Sequence, residues 1–175
     1  QLIHGENAPI CPGYQAVVQR QLVGQVSALS DLDRIDLADQ INTGMPEVVV
    51  SRLQDALNDR RQAVRGSRLL VLGVAYKRDI DDVRESPGLD VIELLWGKGA
   101  QVEYHDPYVP SLRIGHHQLQ PVPLAQLGEY DAVLILTDRT SIDYAALCAK
   151  AKLVIDTRNA TRSVSNQTSC PIVRL

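Results

Sequence analysis

The run Leu69-Leu70-Val71-Leu72-Gly73-Val74-Ala75 constrains the fold more than any other stretch of this chain. It carries no polar side chain. Short all-apolar runs of this kind suit a central strand of a parallel sheet that is covered on both faces. The residues that follow fit that reading. Tyr76 to Glu85 is a charged loop, and Ser86-Pro87 then offers a hydroxyl N-cap with proline at the first helical position. Leu89, Val91, Ile92, Leu94 and Leu95 form the buried stripe of a helix that Gly97 and Gly99 close. Gln101 to His105 is a second strand, ending in Asp106-Pro107, so residues 69–106 predict a βαβ unit. Ala132 to Thr137 and Leu153 to Asp156 predict two further strands around a helix over 141–151, and Ile172-Val173 a short last strand. The class is α/β, a doubly wound parallel sheet.

The chain before this sheet reads differently. Gln1 to Gly13 is rich in loop formers. Val17, Val18, Leu22, Val26 and Leu29 give residues 14–29 a helical stripe. Ser30 and Asp31 start a second stripe through Ile35, Leu37, Ala38 and Ile41, which Gly44 and Pro46 interrupt before Val48, Val49, Leu53 and Leu57 resume it to about Asp59. Three parts are expected: residues 1–30, a central helical segment over 31–65, and a sheet domain over 66–175. A long, broken amphipathic helix cannot bury its own face, so it must pack on the sheet domain or on another copy of the chain.

Composition removes several function classes. A net charge of −3 gives no basic surface for nucleic acid. No apolar run approaches the roughly 20 residues that cross a bilayer, and no membrane partner is expected. Cys11, Cys148 and Cys170 lie far apart with no CxxC spacing, which disfavours a zinc site or a disulfide framework. Reduced thiols and the absence of a leader pattern at Gln1 lead to the expectation of a cytoplasmic protein, and the missing initial Met to that of a fragment.

Ligands of open parallel sheets bind beyond the carboxyl ends of the strands. Three polar clusters are expected there: Tyr76-Lys77-Arg78 with Arg84-Glu85-Ser86, then His105-Asp106, then Asp156-Thr157-Arg158-Asn159. Asp106 stands where a dinucleotide-binding fold places its ribose acid. The first loop nevertheless lacks G-x-G-x-x-G, so no backbone cradle for a pyrophosphate is encoded. Lys77, Arg78 and Arg84 instead offer side-chain cations beside a helix N-terminus. Asp79, Asp81 and Asp82 share that loop, and a self-neutralising, solvated loop is the competing reading. His116-His117 reads as solvated loop, Trp96 as packing, Cys148 as core and Asp156 as the cap of a turn.

These residues resemble the UDP-glucose/GDP-mannose dehydrogenase family, and in wording the branch that oxidises UDP-N-acetylhexosamines. The matching segments are Ile41-Asn42-Thr43-Gly44-Met45-Pro46, Leu72 to Asp79 running on to Val83-Arg84-Glu85-Ser86-Pro87, Tyr104-His105-Asp106-Pro107-Tyr108-Val109-Pro110, and Asp156-Thr157-Arg158-Asn159. The resemblance covers roughly residues 33–160. It implies a central helix that makes a homodimer and a C-terminal Rossmann-like domain that holds UDP, with the NAD-binding domain of the family absent from this chain. It implies oxidation of a UDP-sugar C6 alcohol to the acid by two hydride transfers to NAD, with a cysteine thiolate capturing the aldehyde. By the same resemblance Tyr76 and Lys77 contact substrate, Arg158 holds its nucleotide and Arg84 reaches an NAD phosphate, while Asp82 and Glu85 orient these cations.

The resemblance weakens at the start. The family nucleophile sits in a Gly-Gly-x-Cys segment followed by Pro and then Asp. Cys11-Pro12 lies 31 residues before Asn42, near the expected distance, but Ala8-Pro9-Ile10 replaces the glycines and Gln15 stands where the Asp is expected. Cys11 is therefore either that nucleophile or a loop thiol. A catalytic Lys and Asn of the family belong to the absent domain, so this chain alone is expected to be inactive. The alternative is a stand-alone, non-catalytic module that binds or senses a nucleotide sugar.

Overall fold

The computed structural model describes residues 42–164 and 168–175. The expected helices before residue 41 lie outside the described residues, as does Cys11. From the first described element onward the order is α1 (Met45–Asp59), β1 (Arg68–Leu72), α2 (Pro87–Gly97), β2 (Gln101–His105), β3 (Leu112–Ile114), β4 (His117–Leu119), a 3-10 segment (Leu124–Glu129), β5 (Ala132–Ile135), α3 (Tyr144–Lys150), β6 (Val154–Asp156) and β7 (Ile172–Arg174). Five strands form one sheet in the order β2-β1-β5-β6-β7, with every neighbouring pair parallel. This is the Rossmann-like α/β sheet expected from the apolar runs. Among the described residues no helix is long and apolar enough to cross a membrane.

Alternation along the strands fills two cores. Leu69, Val71, Leu134 and Ile155 join a cluster with Val49, Leu53 and Leu57 of α1 and Val91, Ile92 and Leu95 of α2. Leu70, Leu72, Val133, Ile135 and Val154 face a second cluster with Leu147 and Cys148 of α3. Full burial of each large aliphatic contributes about 1.5–3 kcal/mol. The apolar stripe of α1 is thus spent on α2 and the sheet. Val48 is the large apolar side chain left exposed on α1. Of the two expected ways to cover this helix, packing on the sheet domain or on another copy of the chain, residues 45–59 take the first.

The local signals explain the boundaries. The Ser86 hydroxyl accepts from the Gly88 N–H, and Pro87 opens α2, a cap worth about 1 kcal/mol. At the other end Gly99, at φ +83, turns the chain so that the Gly99 and Ala100 N–H groups bond back to Trp96 and Leu95. Strand β1 stops at Leu72, short of the expected run to Ala75. Gly73 is at φ +73, and a Cβ there would strike the backbone of Thr137. The β3–β4 hairpin was not expected from the sequence. The segment after it crosses the outer edge of β2, with a bridge between Tyr104 and Pro121. His117 packs on the Trp96 ring at 4.9 Å between centroids. Cys148 is buried on α3, as expected, and burial pushes its thiol up to about 11.

Candidate functional site

Strand order reverses at β1. The chain leaves it toward β2 on one side and returns on the other side at β5. The crevice beyond the carboxyl ends of such a pair is where ligands of this architecture bind. Here the two loops that flank it are sewn together. Thr137 Oγ1 donates to the Ala75 carbonyl at 2.7 Å and Arg139 Nη1 to the Lys77 carbonyl at 3.1 Å. Asp79 accepts from the Thr140 N–H at 3.0 Å and its hydroxyl at 2.9 Å. Ala75, Lys77 and Asp79 of the β1 loop are therefore each tied to the β5 loop. Asp79 holds φ +56 in doing so.

Arg139 lies at the centre of this seam with a side chain 0% exposed. Its Nη2 donates to Asp106 Oδ2 in a fully buried ion pair. Asp106 also accepts from the Val74 N–H at 2.9 Å and the Tyr108 N–H at 3.0 Å. The Tyr108 ring covers the guanidinium, 5.0 Å from its carbon. The expected role of Asp106 at the ligand mouth is corrected here: its carboxylate is an internal anchor, filled by one guanidinium and two backbone N–H groups. His105 is drawn away too, with Nδ1 2.7 Å from the Val122 carbonyl. The second of the three polar clusters therefore faces inward.

The first cluster divides. Arg78 pairs with Asp138. Asp82 grips Arg84 twice, at 2.9 Å to Nε and 2.8 Å to Nη2, and this fork holds the Asp82 carboxyl down at about 2. Asp82 thus orients Arg84, as expected, while the Arg84 side chain stays 86% exposed. Self-neutralisation accounts for Arg78 and Arg84 but stops there. Among the described residues of this loop, Lys77 is the cation without a carboxylate partner. Its ammonium lies 5.7 Å from the centroid of the exposed Tyr76 ring.

The third cluster is a tight turn after β6. Asp156 is buried and caps it, as expected. Its Oδ1 accepts from the Arg158 and Ala160 N–H groups, and its Oδ2 from the Thr161 N–H and hydroxyl. Arg174 on β7 ties Thr161 from the other side through Nε and Nη2. Arg158 stands on this turn, half-buried. Tyr76 and Lys77 are thereby brought together, Arg84 shares their loop but is aimed by Asp82, and Arg158 rises from β6, two strand positions or about 10 Å from β1.

Residues 70–163 match the UDP binding domain of the UDP-glucose/GDP-mannose dehydrogenase family. The chain belongs to this family. It is 32% identical over 138 residues to the UDP-N-acetyl-D-mannosamine dehydrogenase of Pyrococcus horikoshii, covering 76% of this chain and 31% of that protein. It is 32% identical over 97 residues to a UDP-N-acetyl-D-glucosamine 6-dehydrogenase of Pseudomonas aeruginosa, covering 55% of this chain and 23% of that one. The solved structure of the Pyrococcus horikoshii UDP-D-ManNAc dehydrogenase superposes with a TM-score of 0.66 at 26% identity, over 83% of this chain and 34% of that chain. The chain therefore spans between about a quarter and a third of the length of these relatives, in the part that carries the family's UDP-binding domain.

Sequence reasoning did not find Arg139. It sits in Thr137-Asp138-Arg139-Thr140, which reads as a solvated loop, and its partners are 33 and 62 positions away. The local hint was a charged residue just past an all-apolar strand.

Proposed function

We propose that this chain is the UDP-sugar-binding part of an NAD-dependent UDP-sugar 6-dehydrogenase. Lys77 and Arg158 hold the substrate, with Tyr76 beside Lys77. The supporting observation is the Lys77 ammonium. It is exposed at the carboxyl edge of the sheet, on a backbone clamped by the β5 loop, and its neighbouring cations are already neutralised. A sugar diphosphate needs such a cation because this crevice provides no glycine cradle. Residues 66–175 form the nucleotide domain and 31–65 the central segment. A homodimer contact made through α1 itself would then use its polar face, because the apolar stripe of 45–59 is spent.

This domain offers a dinucleotide neither a glycine cradle nor a ribose acid, because its first loop lacks G-x-G-x-x-G and Asp106 is consumed by Arg139. NAD belongs to a separate domain of the complete protein, toward which exposed Arg84 offers a phosphate contact. Oxidation of the sugar C6 alcohol proceeds between the two domains, with Cys11 the candidate nucleophile and a loop thiol the alternative reading of it. The sugar is a UDP-N-acetylhexosamine or UDP-glucose, since dehydrogenases of both substrates match this chain at about 30% identity.

Calorimetry on the full-length protein tests this reading. UDP binds the wild type, and Lys77→Ala weakens UDP-sugar binding by about ten- to a hundredfold, the size of a charge-assisted contact. No heat with millimolar UDP, or unchanged affinity in Lys77→Ala, overturns it.

A further inference from the structure

Arg139 touches no solvent, and its place in the seam bears on Lys77 alone among the cations of the mouth. Its guanidinium uses Nη2 on Asp106 and Nη1 on the Lys77 carbonyl, while Nε has no partner. A buried ion pair with an orphaned donor is a poor device for stability, since desolvation offsets most of the attraction. What it does supply is geometry. The planar fork spans two acceptors at a fixed angle. One acceptor, Asp106, is itself pinned by the Val74 and Tyr108 N–H groups at either end of the βαβ unit. The other is the backbone of the residue whose ammonium faces outward. Thr137 makes a parallel tie to Ala75, two residues earlier.

We infer that Arg139, anchored on Asp106, is a positioning residue that sets where the Lys77 ammonium meets the diphosphate of the substrate. This inference rests on the UDP-sugar reading of the site. Arg139 touches neither substrate nor cofactor. It acts through the Lys77 carbonyl, and its loss frees the loop while the lysine remains chemically intact.

The test is a double-mutant cycle in the full-length protein with Arg139→Lys and Lys77→Ala, read as KM for UDP-sugar, KM for NAD and UDP affinity. A lysine at 139 keeps the charge opposite Asp106 but lacks the fork. Arg139→Lys raises KM for UDP-sugar about tenfold, leaves KM for NAD within twofold, and has no further effect once Lys77 is alanine. Thr137→Val, which removes the parallel tie at nearly constant volume, gives a smaller change of the same pattern and serves if Arg139→Lys does not fold. Full additivity with Lys77→Ala, or equal rises in both KM values, overturns the positioning role while leaving Lys77 as a ligand. Unchanged affinity in Lys77→Ala alone identifies the underlying reading as the failure, and the inference falls with it.

Discussion

The loop after β1 and the turn after β6 both present cations at the carboxyl edge of the sheet, yet they are held in opposite ways. The β6 turn is fixed from within: one buried carboxylate, Asp156, gathers four donors from the next five residues. The β1 loop runs fourteen positions, from Gly73 to Ser86, before α2 begins. It is fixed from outside, by Thr137, Arg139 and Thr140 of another loop. The short turn is set mainly by its own sequence, with Arg174 of β7 and the Ile135 carbonyl adding ties from outside. The long loop is a property of the fold, and it keeps its shape only while β1 and β5 stay side by side.

The sharpest way to break this contrast is Arg139→Met. It leaves the Asp106 carboxylate buried without its cation, at a cost of about 3–5 kcal/mol. Adding Asp106→Asn to Arg139→Met removes the unpaired charge and keeps an acceptor oxygen for the loop N–H groups, and recovers part of that loss in urea titrations. A single variant as stable as the wild type would show that the pair does not anchor the seam. Next in size is Asp156→Ala, which strands buried donors at the turn and costs about 3 kcal/mol. Its damage is local, so hydrogen exchange rises at residues 157–161 and 174 while the Ala75 to Asp79 amides keep their rates. Acceleration in both regions together would erase the distinction. The smallest effect belongs to Asp82. Its carboxyl, held near 2 by Arg84, sits below the ordinary 3.8, so the clip is complete above about pH 4 and is lost as pH falls through 2. A carboxyl titration with its midpoint near 3.8 would show that Arg84 is not aimed by Asp82.

The same contrast explains what could be read from the sequence. Asp156 was legible as a cap because its donors follow it directly, and Ser86-Pro87 announced α2 for the same reason. The strands of the sheet were legible because two-sided burial leaves all-apolar runs. Asp106 was misjudged as a ligand acid. Position at a strand end favours that role, and only the fold reveals the guanidinium that arrives from 33 residues on. Gly73 carried no sign that it would end β1, because the obstacle is Thr137 on another strand's loop. The β3–β4 hairpin has three residues per strand, too few for a pattern to emerge.

Cys148 and Cys170 lie in the second core with their sulfurs held in the neutral form by burial. A maleimide or a peroxide in the surrounding medium meets them only when the packing around α3 parts. The pace at which these two sulfurs are modified is therefore a clock for breathing of that half of the molecule.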